Sequence, residues 1–145
     1  MAPRLKHWLP VIFWLAVIFS MSTDTFSSQN TSVIIEPMLR FLKPTMTLET
    51  IEMVHGFIRK CAHITEYFIL GLLLFRAFHY GTLDSSPSIS ALLAVIFVVI
   101  AASADEFHQS FVATRTASIA DVLLDATGGI LAQFMRLFWR RWKHT

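Results

Sequence analysis

The stretch SISALLAVIFVVIAASA, residues 88–104, decides the fold. No charge falls between Ser85 and Ala104, and Asp105, Glu106, His108 and Gln109 follow at once. A helix needs about 20 mostly apolar residues to cross a bilayer core of about 30 Å, so this run reads as a membrane span with polar residues gathered at its end. The rest of the chain agrees. Of its 145 residues 54% are apolar and 15% charged, against about a quarter charged in a soluble domain. Thirteen Phe and four Trp imply a surface that faces lipid, and the composition excludes a disordered chain. The single cysteine, Cys61, leaves no intrachain disulfide to support the fold.

Three further stretches read as spans: residues 5–20, 62–78 and 118–138. The second carries Glu66 and Arg76, and the fourth Asp121, Asp125 and Arg136. These charges lie toward the span ends, where long side chains snorkel and carboxylates face protein. The first span starts basic (Arg4, Lys6), as a signal peptide does, but Pro10 and two tryptophans interrupt its apolar run and no A-x-A site follows, so it reads as a retained helix. The expected fold is all-α: a polytopic membrane protein, residues 1–145 as one domain, with four transmembrane helices and short amphipathic helices in a first external loop over residues 21–59. Lys and Arg place Arg4, Lys6, Arg76, Arg136, Arg140, Arg141 and Lys143 on one side, and Arg40, Lys43, Arg59, Lys60 and Arg115 on the other. The dense tail cluster, flanked by Trp139 and Trp142, predicts both termini cytoplasmic. Within the external loop, Val33 to Leu42 and Thr47 to Ile58 are the amphipathic stretches, lying on the membrane surface or capping the bundle. His79 to Ser88 reads as a turn, and Gly128-Gly129 as a close helix contact.

That topology gathers the polar residues at one depth. Arg59, Lys60, His63 and Glu66 open the second span; Asp105, Glu106, His108 and Gln109 close the third; Arg115 follows in the loop; Asp121 and Asp125 open the fourth. Lys60, His63 and Tyr67 share a helical face, as do Asp121, Asp125 and Gly128. Ionisable groups in hydrocarbon cost at least a few kcal/mol each unless paired or wet, so by default they mark a functional site. The balance of five carboxylates against three fixed cations and two histidines predicts a mutually paired cluster with hydrogen-bonding capacity left over.

These residues resemble the VanZ-like family of small bacterial membrane proteins. The matching text is Arg59-Lys60-x-x-His63-x-x-Glu66-Tyr67-x-x-Leu70-Gly71, then Asp105-Glu106-x-His108-Gln109-x-Phe111-x-x-x-Arg115, then Asp121-Val122-x-x-Asp125-x-x-Gly128-Gly129. The blocks span about half the chain. Where the family pattern often has Asn, this chain has Asp125, which adds a charge. The resemblance implies a multi-span integral membrane protein of the cell envelope, in a family named for an accessory factor in teicoplanin resistance. It supplies no reaction.

Several readings of the cluster stand side by side. In one the charges only lock the bundle, and Ser118-x-x-Asp121 is also a capping-box pattern. Metal binding is disfavoured, with no H-E-x-x-H and no cysteine pair, and with Arg59, Lys60 and Arg115 opposing a dication. Catalysis on a lipid-linked substrate would use Glu106 with His108 or His63 as acid and base, but no nucleophile stands out. No cofactor motif is present. The favoured reading is binding: an outward-facing polar pocket of Arg59, Lys60, His63, Glu66, Asp105, Glu106, His108, Gln109, Arg115, Asp121 and Asp125 that engages a lipid headgroup, a lipid-linked envelope precursor or a lipoglycopeptide. The expected partners are membrane lipids and such amphiphiles, with an oligomer permitted. Anionic inner-leaflet lipids account for the basic tail without nucleic acid. The expected location is the bacterial inner membrane.

Overall fold

A computed structural model describes residues 2–23, 28–82, 86–111 and 118–142, and these form helices and turns with no strand among the described residues. The helices are α1 (Ala2–Met21), α2 (Ser28–Leu42), α3 (Leu48–Arg76), α4 (Pro87–Gln109) and α5 (Ile119–Trp142), and a π-helical segment, Ala77–Thr82, extends α3. Local chemistry sets several of these ends. Thr47 caps α3 by accepting from the Thr50 N–H at 3.3 Å. Ser86 accepts from the Ile89 N–H at 3.4 Å, and Pro87, whose missing N–H costs nothing in a first turn, opens α4. Among the described residues, two helices are long and apolar enough to cross a membrane, Leu48–Gly81 and Pro87–Gln109, and Leu5–Met21 is a shorter apolar helix.

The packing inverts the pattern of a soluble bundle. In α4 the buried positions are Ser90, Ala94, Val98, Ala102 and Asp105, small or polar residues at helical spacing. Its large apolar residues Ile89, Leu92, Ile96, Phe97 and Ile100 are exposed. Helix α5 does the same: Asp125, Ala126, Gly128, Gly129, Ala132 and Gln133 are buried, while Leu123, Leu131, Phe134, Met135 and Phe138 face out. Small residues let helix backbones approach where no water drives association, and large apolar ones suit a hydrocarbon surround. Glycines at the α3–α4–α5 junction show how close that approach is. A Cβ on Gly128 would meet the Ile64 carbonyl oxygen at 2.4 Å, one on Gly129 the Val98 side chain at 2.7 Å, and one on Gly71 the Gly129 Cα at 3.0 Å. The Gln133 amide adds a buried bond to the Gly71 carbonyl at 3.0 Å. The expectation of a close helix contact at Gly128-Gly129 is met.

Two sequence expectations change. The stretch from Thr47 to Ile58 is no separate amphipathic helix: Leu48–Arg76 is one unbroken helix, because no residue between Leu48 and Ala62 breaks it and Gly56 stands in open space on an exposed face. The connection from His79 to Ser88 begins as helix, since the π-helical segment carries the chain to Thr82; residues 83–85 lie outside the described residues. The first amphipathic stretch is helical and longer than expected, Ser28–Leu42, with Val33, Ile34, Met38 and Phe41 exposed.

Candidate functional site

The polar residues converge where α1, α3 and α4 and the start of α5 meet. At the last turn of α4, Asp105 and Gln109 stand one helical turn apart, and the Gln109 amide donates to Asp105 Oδ2 at 2.8 Å and to Ser22 Oγ, just past α1, at 3.0 Å. On α3, His63 Nδ1 lies 3.3 Å from Asp125 Oδ1 of α5. That distance suits an ion pair, although the two atoms are not aligned as a hydrogen bond. Asp105 and Asp125 are both 0% exposed, as is Tyr67 beside them. Tyr67 sits in the field of Asp105, Asp125, Glu66 and Glu106, and His63 in that of Asp125, Glu66 and Asp105.

Glu106 joins α4 to α5. Its Oε2 accepts from the Ser118 N–H at 2.7 Å, so the end of α4 caps the start of α5. The capping box expected within α5 is therefore replaced. Ser118 Oγ accepts from the Ala120 N–H at 3.2 Å, while the N–H that Asp121 would have taken goes to Glu106. Asp121 stays half-buried in the first turn of α5.

A cavity of about 170 Å³ opens beside this group, between the end of α1, α2 and α3. Its polar wall is Ser22, Thr31, His55, Arg59, His63 and Glu66, and the remainder is apolar (Met21, Ile35, Ile58, Ala62). Thr31 Oγ1 and His55 Nε2, 2.9 Å apart, tie α2 over α3 along one edge. His55, Arg59 and His63 stand at i, i+4 and i+8 on one face of α3.

Of the residues singled out in the sequence, His63, Glu66, Asp105, Glu106, Gln109 and Asp125 come together, and Arg59 joins them in the cavity wall. Lys60 is exposed on α3. His108 is exposed too and stands edge-on to Phe19 of α1 at 6.3 Å, whereas Asp105 and Glu106 are buried. Arg115 lies outside the described residues. Of the mutual pairing expected of the cluster, the described residues show the His63–Asp125 contact. Buried polar atoms are left without a hydrogen-bond partner instead, namely Tyr67 Oη, Asp105 Oδ1 and both Asp125 oxygens. Among the described residues no set of three or more His, Cys, Asp or Glu side chains is arranged to hold a metal ion. Sequence reasoning missed Ser22, Thr31 and His55. The i, i+4, i+8 series from His55 to His63 was the signal for His55, hidden by starting the second span at residue 62; Ser22 and Thr31 join only through the tertiary approach of the end of α1 and of α2 to α3.

The arrangement suits recognition. It offers buried acceptor oxygens on Asp105 and Asp125, a half-buried guanidinium nearby and an adjoining cavity. In comparison with known proteins, residues 7–140 match the model of the VanZ/LLP1 family. No curated protein and no solved structure matches the chain.

Proposed function

The chain belongs to the VanZ/LLP1 family, and family and apolar helices together point to a membrane protein; from that premise we propose that it is a four-span envelope protein that binds the polar head of an amphiphile at its outward end. The observation that carries this reading is the set of buried, unpartnered oxygens on Tyr67, Asp105 and Asp125 behind a cavity whose wall includes Arg59, His63 and Glu66. Buried polar groups are normally satisfied, so a group of orphans beside a cavity marks a place where something else binds. The amphiphile is a lipid headgroup, a lipid-linked envelope precursor or a lipophilic glycopeptide, and a part in teicoplanin resistance follows from the last two. Four spans are supported by α5, whose acidic residue Asp125 and amide Gln133 face inward while its large apolar residues face out. The proposed location is the bacterial inner membrane with both termini cytoplasmic. A reporter inserted at Thr45 should then read as exterior and one at Ser86 as cytoplasmic; the reverse reading at either position sinks this topology.

The binding reading is tested at Arg59. It lines the cavity and is half-buried, and no ion pair with a described carboxylate ties it into the bundle. Arg59→Ala should lose the chain's protection in a glycopeptide-susceptibility assay while the amount in the membrane stays at the wild-type level. A fully protective variant removes the pocket reading, and a protein that disappears from the membrane favours a locking role.

A further inference from the structure

The side chains that line the cavity itself leave donors unused. Arg59 is half-buried in its wall, and the guanidinium makes no hydrogen bond or ion pair with a described residue. Ser22 joins the wall from the end of α1 and is 3% exposed. Its Oγ accepts from the Gln109 amide at 3.0 Å, and no described residue accepts the hydroxyl's own proton. Buried donors are normally taken, so an unused one in a cavity wall points to a ligand. His63 meets Asp125 through Nδ1 at 3.3 Å. In that ion pair both ring nitrogens carry a proton, which leaves Nε2–H as a further donor for the cavity that His63 lines. Arg59 and His63 stand one turn apart on the same face of α3. The carboxylate in the wall, Glu66, is already engaged by a partner of its own.

We propose that the cavity binds an anionic phosphate group, with Arg59 as its charge partner and the Ser22 hydroxyl and His63 Nε2 as further donors. The inference rests on the pocket reading above and names the chemistry of the head. A guanidinium pairs with two phosphate oxygens through parallel N–H bonds, and the phosphate keeps acceptor capacity for the other two donors. A neutral head of hydroxyl groups would meet the donors and leave the half-buried Arg59 without a counter-charge. A zwitterionic head brings a cation as well, for which the wall holds no unengaged carboxylate.

The test uses the full chain in nanodiscs containing trace phosphatidate, phosphatidylcholine and diacylglycerol with matched acyl chains, with retained lipid read by native mass spectrometry. The wild-type chain should hold phosphatidate at least about tenfold over diacylglycerol, the equivalent of one charge-assisted hydrogen bond or more, and over phosphatidylcholine by a smaller factor. Arg59→Ala and Ser22→Ala should each bring the first ratio toward one. Lys60→Ala, which removes the same charge from an exposed position outside the cavity wall, should leave it at the wild-type value. Inorganic phosphate added in solution separates the two sources of the group. Displacement of phosphatidate assigns recognition to the phosphate alone, and retention against it assigns the lipid head; either upholds the proposal. Equal losses in Lys60→Ala and Arg59→Ala overturn it in favour of diffuse surface charge. Equal retention of phosphatidate and diacylglycerol, or retention of neither, overturns it too. The pocket reading then stands if Arg59→Ala loses protection in the susceptibility assay, and falls with the phosphate if that variant is fully protective.

Discussion

Gly128→Ala should leave little folded protein in the membrane. The added Cβ would stand 2.4 Å from the Ile64 carbonyl oxygen and 3.0 Å from the Phe68 nitrogen, both backbone atoms of α3. No rotamer change relieves that clash, so α5 must move bodily off α3, taking the Gln133–Gly71 bond and the His63–Asp125 contact with it. Overpacking a tight core costs about 1–3 kcal/mol where side chains can yield, and a backbone clash belongs at or above the top of that range. Two other glycines calibrate the result. A Cβ at Gly129 meets only the Val98 side chain, so Gly129→Ala should be milder, and Val98→Ala should rescue it without rescuing Gly128→Ala. Gly56 has nothing within 4 Å, and Gly56→Ala in a helix interior should stabilise by about 0.5–1 kcal/mol. Thermal unfolding in detergent checks the order of the three. A Gly128→Ala protein that unfolds at the wild-type temperature refutes the α3–α5 contact as described.

The fold was legible where periodicity and charge acted together. The run from Ser88 to Ala104 is helix, and the i, i+4 relation of Asp105 and Gln109 becomes a hydrogen bond. Gly128-Gly129 is the close contact that small residues in an apolar helix imply. Legibility failed at the helix ends. Nothing in local sequence breaks the chain between Thr47 and Arg76, yet Glu49, Glu52 and Arg59 dilute its apolar pattern enough to suggest two elements instead of one. That error hid His55 and its place in the cavity.

The site was legible as a set of residues and illegible as a set of partners. Helical spacing shows which side chains share a face, so the convergence of His63, Glu66, Asp105 and Asp125 could be read from order alone. Partners depend on how the ends of different helices meet. The Ser118 N–H goes to Glu106 across a helix connection instead of to Asp121 one turn away, and only the tertiary approach of α4 to α5 decides between them. Likewise His108 shares a motif with Asp105 and Glu106 but is exposed, edge-on to Phe19, while they are buried.

His63→Ala should destabilise the chain by about 3–5 kcal/mol, because it strands Asp125 without its base in a fully buried place. Asp125→Asn removes the charge but keeps an amide of the same shape, so its cost should be well below that of His63→Ala. The double variant His63→Leu with Asp125→Asn should then recover most of the stability lost in His63→Ala, since burying an apolar group beside a neutral amide is cheaper than burying an unpaired carboxylate. This cycle separates two roles that the geometry superimposes. If the pair only locks α3 to α5, restored stability should restore protection in the susceptibility assay as well. If it also presents charge to a ligand through the cavity wall that His63 shares with Arg59 and Glu66, the double variant folds and stays unprotective. The second outcome is the expected one, because Asp125 Oδ2, which lies outside the contact with His63, contributes nothing to a lock and is what an incoming donor would use. A stable, fully protective double variant would reduce the pair to a fastening between helices.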